Sequence, residues 1–165
     1  MLTSVTSMFR RFIARAVLCS TLCATTLSIT AGLAADDLKL RFGVSFTQDL
    51  DNGFPIVGTN MDDCKIQPGL ACIIFFGASG DLNTNRQAKR LVDLYRKINA
   101  KELKFIVVDV DHAPNDDAKN LVRTYYKGYI PSEVLLDKKG KVVWNHDGEV
   151  ELSVIKSQVD KVAGE

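Results

Sequence analysis

Cysteine, histidine, tryptophan and proline are all scarce in this chain, with four Cys, two His, one Trp and four Pro among 165 residues. Zinc held by four closely spaced ligands is therefore not expected, because His112 and His146 lie far from each other and from any cysteine in sequence. No basic block, internal repeat or low-complexity segment is present, so nucleic acid is not an expected partner. Asp109, Asp111, Asp116 and Asp117 lack the spacing and central glycine of a calcium loop. No cofactor is expected either. What remains is an ordinary globular composition, 46% apolar and 25% charged, long enough for one well-buried domain.

A second absence is local. The first 35 residues contain no acidic side chain; they carry Arg10, Arg11 and Arg15, an uncharged stretch from Ala16 to Ile29, and then small residues ending in Ala34-Ala35. This is the three-part layout of a secretory signal peptide. The fourteen-residue stretch is short against the roughly twenty residues a bilayer span needs, so cleavage is expected over retention as an anchor. Arg10-Arg11 also fits a twin-arginine signal, although no cofactor motif follows that would call for export in the folded state. The expected product begins near Asp36, is periplasmic or secreted, and has no stable membrane span. Losing three arginines leaves 18 basic against 20 acidic residues, a net charge near −2.

Cys19 and Cys23 leave with the signal, so only Cys64 and Cys72 remain. In an oxidising compartment such a pair is expected to form a structural disulfide, worth about 2–3 kcal/mol for so short a ring. The alternatives are a reactive or regulatory dithiol and two free buried thiols.

Along the rest of the chain, strict alternation of Leu38, Leu40, Phe42, Val44 and Phe46 predicts a half-buried strand. Residues 47–69 read as loop, with Asp51-Asn52-Gly53, Pro68-Gly69 and a short strand at Phe54 to Val57. Leu70 to Phe76 is apolar throughout, the mark of a strand covered on both faces. Helices are predicted over 84–99, capped by Asn83, and over 116–127, stopped by Gly128, with a strand between them at 104–110. Strands at 133–137 and 141–145 flank Lys138-Lys139-Gly140 as a hairpin, and Leu152, Ile155, Val159 and Val162 define a last helix. Parallel strands joined by helices and closed by a hairpin make an α/β fold, a mixed central sheet with helices on both faces.

That order, together with Phe105-Ile106-Val107-Val108-Asp109-Val110-Asp111 and the run from Tyr129-Ile130-Pro131 to Lys141-Val142-Val143, resembles the thioredoxin family over about 70–164. The resemblance implies a three-layer fold, a cis peptide at Ile130-Pro131, and an added N-terminal β extension over 36–69. The chain departs from the family at its centre. Where the family carries Cys-x-x-Cys at a helix tip, whose amides and dipole activate the first thiol, this chain has Gly80 and Asn83. Ile74 stands where the family buries an Asp. Dithiol exchange at that loop is therefore not expected.

Two functions follow as expectations. The first is a redox-inactive, chaperone-like binding or accessory module. It would use Ser79, Gly80, Asp81, Leu82, Asn83, Ile130 and Pro131 as a groove for an extended segment of another exported protein. The other is a thiol-disulfide oxidoreductase working through Cys64 and Cys72. Asp81, the only ionisable group of the loop, reads as a cap or a solvated side chain, His112 and His146 as solvated, and Phe76 and Trp144 as core. Intact-mass analysis of the mature protein tests both export and pairing. The expected mass places the N-terminus within a few residues of Asp36 and lacks the two hydrogens of a reduced cysteine pair; a mature chain retaining Met1 would exclude the signal.

Overall fold

A computed structural model describes residues 36–98 and 102–163; the segment 1–35, where a signal peptide is expected, lies outside the described residues. The elements run β1 (Asp36–Leu40), β2 (Ile56–Thr59), β3 (Ala71–Gly77), α1 (Leu82–Tyr95), β4 (Leu103–Asp109), α2 (Asp116–Tyr125), β5 (Ser132–Leu136), β6 (Val142–Asp147) and α3 (Leu152–Ala163). The main sheet has the order β4-β3-β5-β6. β3 and β4 are parallel, while β5 pairs antiparallel with both β3 and β6. With a cis Ile130-Pro131 bond entering β5, this is a thioredoxin-like α/β fold. β1 and β2 form a separate antiparallel pair, the N-terminal extension.

β3 explains the layering, since all seven of its residues are buried. Side chains alternate across a strand, so Ile73 and Phe75 enter one apolar cluster with Leu91 of α1 and Ile155 and Val159 of α3. Cys72, Ile74 and Phe76 enter the other with Ala118 and Leu121 of α2. The extension joins the first cluster through Leu38 and Ile56, and Tyr95 of α1 accepts a hydrogen bond from Asp37 N–H at 2.9 Å.

Three local expectations are corrected. The strand predicted over 38–46 ends at Leu40 despite perfect alternation, because the chain turns at Phe42 and Gly43, the latter at φ +83°. Phe42, one of the alternating residues, is fully exposed. Arg41 instead donates to Pro55 and Phe54 carbonyls, both at 2.8 Å, and the freed segment Ser45–Gly53 crosses to α1. Asp81, not Asn83, caps α1, its carboxylate accepting from Thr84 N–H. α2 ends at Tyr125 because Tyr126 is already extended, and Gly128 lies beyond it in the following turn.

Gly77 sets how closely α1 approaches the end of β3. A methyl group there would overlap Thr84 Cγ2 and press on Phe75 at 3.2 Å. Gly77→Ala is therefore expected to cost roughly 1–3 kcal/mol. Thr84→Ser, which removes the obstructing methyl but keeps the hydroxyl, should recover part of that loss in the double variant. Urea denaturation of the two single variants and the double variant measures the coupling.

Candidate functional site

The loop after β3 occupies the carboxyl end of the sheet and opens directly into α1, so its backbone amides face whatever sits above it. Two carboxylates already do. Asp81 takes the Thr84 amide, and Asp49 of the crossing segment accepts from Leu82 N–H at 2.9 Å. The helix dipole favours negative charge here, and this chain supplies it from within. Asn85, buried in the first turn of α1, donates to the Ser45 carbonyl at 2.9 Å, and Arg86 donates to that of Phe46 at 3.2 Å. Ser45–Gly53 is thus a strap fastened along the first turn of α1.

Gly80, which the resemblance aligns with the family's first cysteine, lies under this strap. Its φ of +81° is in the left-handed region, and a Cβ built there would meet Asp51 Cβ at 3.2 Å. Any side chain would be strained by the backbone and crowded by the strap. Asn83 is exposed on the outer side of the first turn. Neither family position holds a thiol.

Ser79 points across the strand ends, its hydroxyl donating to Asp109 Oδ2 at 3.0 Å. The same oxygen lies 3.3 Å from His112 Nδ1, and Asp109 Oδ1 accepts from Asp111 N–H at 3.1 Å. These three side-chain types suggest a hydrolytic triad, but their order does not. The carboxylate sits between hydroxyl and imidazole, so no ring nitrogen is placed to take the Ser79 proton. His146 lies elsewhere, stacked on the half-buried Trp144 of β6 with centroids 6.0 Å apart. Among the described residues no group of three His, Cys, Asp or Glu side chains is arranged to hold a metal.

Ile130 is half-buried and Pro131 buried beside β5, with Tyr129 exposed in front of them. The Pro131 carbonyl is used internally, accepting from Gly148 N–H at 2.7 Å. Two residues on, Glu133 is 1% exposed. Its Oε1 accepts from Gln87 Nε2 at 2.9 Å, whereas Oε2 has no partner among the described residues. Gln87 Oε1 in turn accepts from Val150 N–H at 3.0 Å and Arg90 at 3.2 Å, and Arg90 reaches Glu149 at 2.6 Å. Glu133 thus links β5, α1 and the turn before α3.

Cys64 and Cys72 are free thiols in the structure, both buried in the α2-side cluster; the expected bridge is not formed here. Burial, reinforced by Asp62 and Asp63, pushes the Cys64 thiol up to about 11. Burial, with a smaller contribution from Cys64, outweighs the nearby Lys104 ammonium and pushes Cys72 up to about 12. Thiols held this far above neutrality are poor nucleophiles. Lys104 is itself wholly buried, beside Cys72 in the strand register, and donates to Asp63 Oδ2 and the Lys65 carbonyl, each at 2.7 Å. This cluster sits near the start of β3, about 16 Å from the loop at roughly 3.3 Å per residue.

The sequence reading weighed Asp109 only as a calcium ligand and missed Asp49, Asp51, Lys104 and Glu133. For the last two a signal existed, a charged residue inside an otherwise apolar strand. For the strap there was none, because a loop's path over a distant helix leaves no periodicity.

No family model and no curated protein matches the chain. Similar solved structures include thioredoxins. Thioredoxin-2 of the malaria parasite, a component of that organism's protein secretion machinery, is 19% identical with a TM-score of 0.49, over 58% of this chain and 86% of that one. A Schistosoma mansoni thioredoxin is 19% identical with a TM-score of 0.47, over 58% and 82%. Mitochondrial thioredoxin 3 of Saccharomyces cerevisiae is 17% identical with a TM-score of 0.45, over 58% and 80%.

Burial raises the Glu133 carboxyl to about 7 against the ordinary 4.5, the Gln87 hydrogen bond and Arg90 opposing it only in part. The folded state therefore binds this proton more tightly than the unfolded state. The stability it contributes is complete below the unfolded value and is lost as pH rises through about 7. The loss amounts to roughly 3 kcal/mol. Glu133→Gln should flatten this component. Urea midpoints between pH 5 and 8 should fall in the wild type and hold level in the variant; equal slopes would show that Glu133 is not the group responsible.

Proposed function

We propose that this chain is an exported thioredoxin-like module that has given up thiol chemistry and binds an extended segment of another exported protein. Its groove runs between Ser79–Asn83 and Ile130-Pro131. One observation carries the reading: the helix tip where the family keeps its reactive thiol holds Gly80 beneath Asp51, with Asp49 and Asp81 on the helix amides. A thiolate is the obligatory attacking species in disulfide exchange, and this tip supplies none. The remaining thiols are buried with raised proton affinities, which weighs against an oxidoreductase built on Cys64 and Cys72.

Export rests on the layout of residues 1–35, and among the described residues no helix is long and apolar enough to cross a membrane. In an oxidising compartment Cys64 and Cys72 would close a short loop against β3, a structural role; the intact-mass measurement reads that bond directly.

Insulin reduction by dithiothreitol separates binding module from enzyme. Wild type, Cys64→Ser and Cys72→Ser are each expected to give only background rates. Turnover in the wild type that falls in either variant would make the chain an enzyme. Peptides selected from a displayed library should bind the wild type and lose about tenfold in affinity on Pro131→Ala, the equivalent of 1.4 kcal/mol. Equal affinity for both proteins would move the binding surface away from Pro131.

A further inference from the structure

The strap leaves and rejoins the rest of the fold through two left-handed glycines, Gly43 at φ +83° and Gly53 at φ +82°. Glycine turns there without a Cβ penalty, which suits both positions to act as hinges. Between them the chain closes on itself, because Asn52 Nδ2 donates to the Gly43 carbonyl at 2.6 Å. The amides of Thr47 and Gln48 donate to Ser45 Oγ, and that of Gly53 to Asp51 Oδ1 at 3.0 Å. Residues 43–53 thus form an Ω-loop that holds its own shape.

What flanks this loop is anchored in the core, and what lies within it is not. Leu40 and Phe54 pack against the α1-side cluster, whereas among the described residues neither apolar cluster includes Val44, Phe46 or Leu50. Residues 47–52 are exposed. The loop is held to α1 by the hydrogen bonds at Leu82, Asn85 and Arg86, which water can replace. Nor is the closed fit complete, since Asn85 is buried and its Oδ1 has no partner among the described residues. Opening would let water reach that oxygen, offsetting part of what the broken bonds cost. Little apolar burial and replaceable bonds mark a segment that opens locally while the rest stays folded.

We propose that residues 43–53 are a hinged lid that swings as a unit on Gly43 and Gly53, and that its closed position blocks the α1 side of the groove. The residues it covers are groove residues: Asp51 lies over Gly80, and Asp49 holds the Leu82 amide. The hinge stands on the loop's own construction; the blocking deepens the groove reading and rests on it. A segment that binds only the open form has its apparent affinity cut by the fraction of molecules that are open. Variants that loosen the lid therefore bind more tightly, although they add no contact.

Amide exchange followed residue by residue tests the hinge without any partner. In the wild type, which needs no variant, Leu82 N–H is expected to exchange roughly a hundredfold faster than the β3 amides. Asn85→Ala cuts the fastening at Ser45 but leaves the Asp49 carboxylate in place, so a lid that moves as a unit should exchange Leu82 N–H about tenfold faster still. Circular dichroism checks that each variant is folded. Leu82 exchange as slow as that of β3, or unmoved by Asn85→Ala, would overturn the lid. Library-selected peptides should bind Asp49→Ala and Asn85→Ala about three- to tenfold more tightly than the wild type. Equal affinity in all three proteins would overturn the blocking. Peptides bound by none of the three would overturn the groove reading itself, and exchange would still decide whether the lid opens.

Discussion

The candidate site is placed by the complete burial of β3. A strand covered on both faces cannot shift by one residue without exchanging its two sets of side chains, so its register against β4 and β5 is fixed. That register puts Gly77 opposite Asp109 and Phe76 opposite Ser132. The loop, the Ser79–Asp109 contact and the Pro131 step therefore meet at one end of the sheet. The thiols, near the strand's start, are kept away from it by the same rigidity.

At that end the decisive quantity is negative charge. A helix N-terminus presents unsatisfied amides that a thiolate, a phosphate or a carboxylate can use. In this chain carboxylates have taken them, Asp81 as the cap and Asp49 from the strap. A cysteine introduced at Gly80 would thus enter a site already compensated, where a further negative charge gains little. The helix tip thus differs from the family's by more than Gly80 and Asn83, because the extension supplies a carboxylate to it.

The extension's attachment was not legible in the sequence, and the reason is physical. Hydrophobic alternation reports which side chains could line one face of a strand, and over Leu38 to Phe46 it was perfect, yet the chain turns after Leu40. What accompanies the turn are hydrogen bonds from the Arg41 backbone N–H to the Pro55 carbonyl and from its guanidinium to the Phe54 carbonyl, and a left-handed Gly43, none of which has a period. By contrast β3, α1 and β4 carry runs or spacings that burial alone explains, and their boundaries shift by only a few residues. The cap of α1 was misplaced by two positions because both Asp81 and Asn83 are good capping residues. Only the geometry of the loop chooses between them.

The two buried charges show how the outer segments are held to this core. Lys104, on the α2 side, has its ammonium satisfied by Asp63 and the Lys65 carbonyl, so it fixes the stretch carrying Cys64 onto the sheet. Leaving that ammonium unpaired in the core would cost several kcal/mol, which makes the stretch 63–65 hard to detach. Glu133, on the α1 side, is satisfied at one oxygen only, and raised proton affinity is the response to the other. One face is thus fastened by a fully paired charge and the opposite face by a carboxyl that is stable chiefly when neutral. Glu133 follows Pro131 by two residues and its partner Gln87 also holds Val150 N–H, so this carboxyl is connected to the turn whose Gly148 bonds the Pro131 carbonyl. The Pro131 step is thus linked, within two residues, to a buried carboxyl whose proton affinity is raised towards neutral pH.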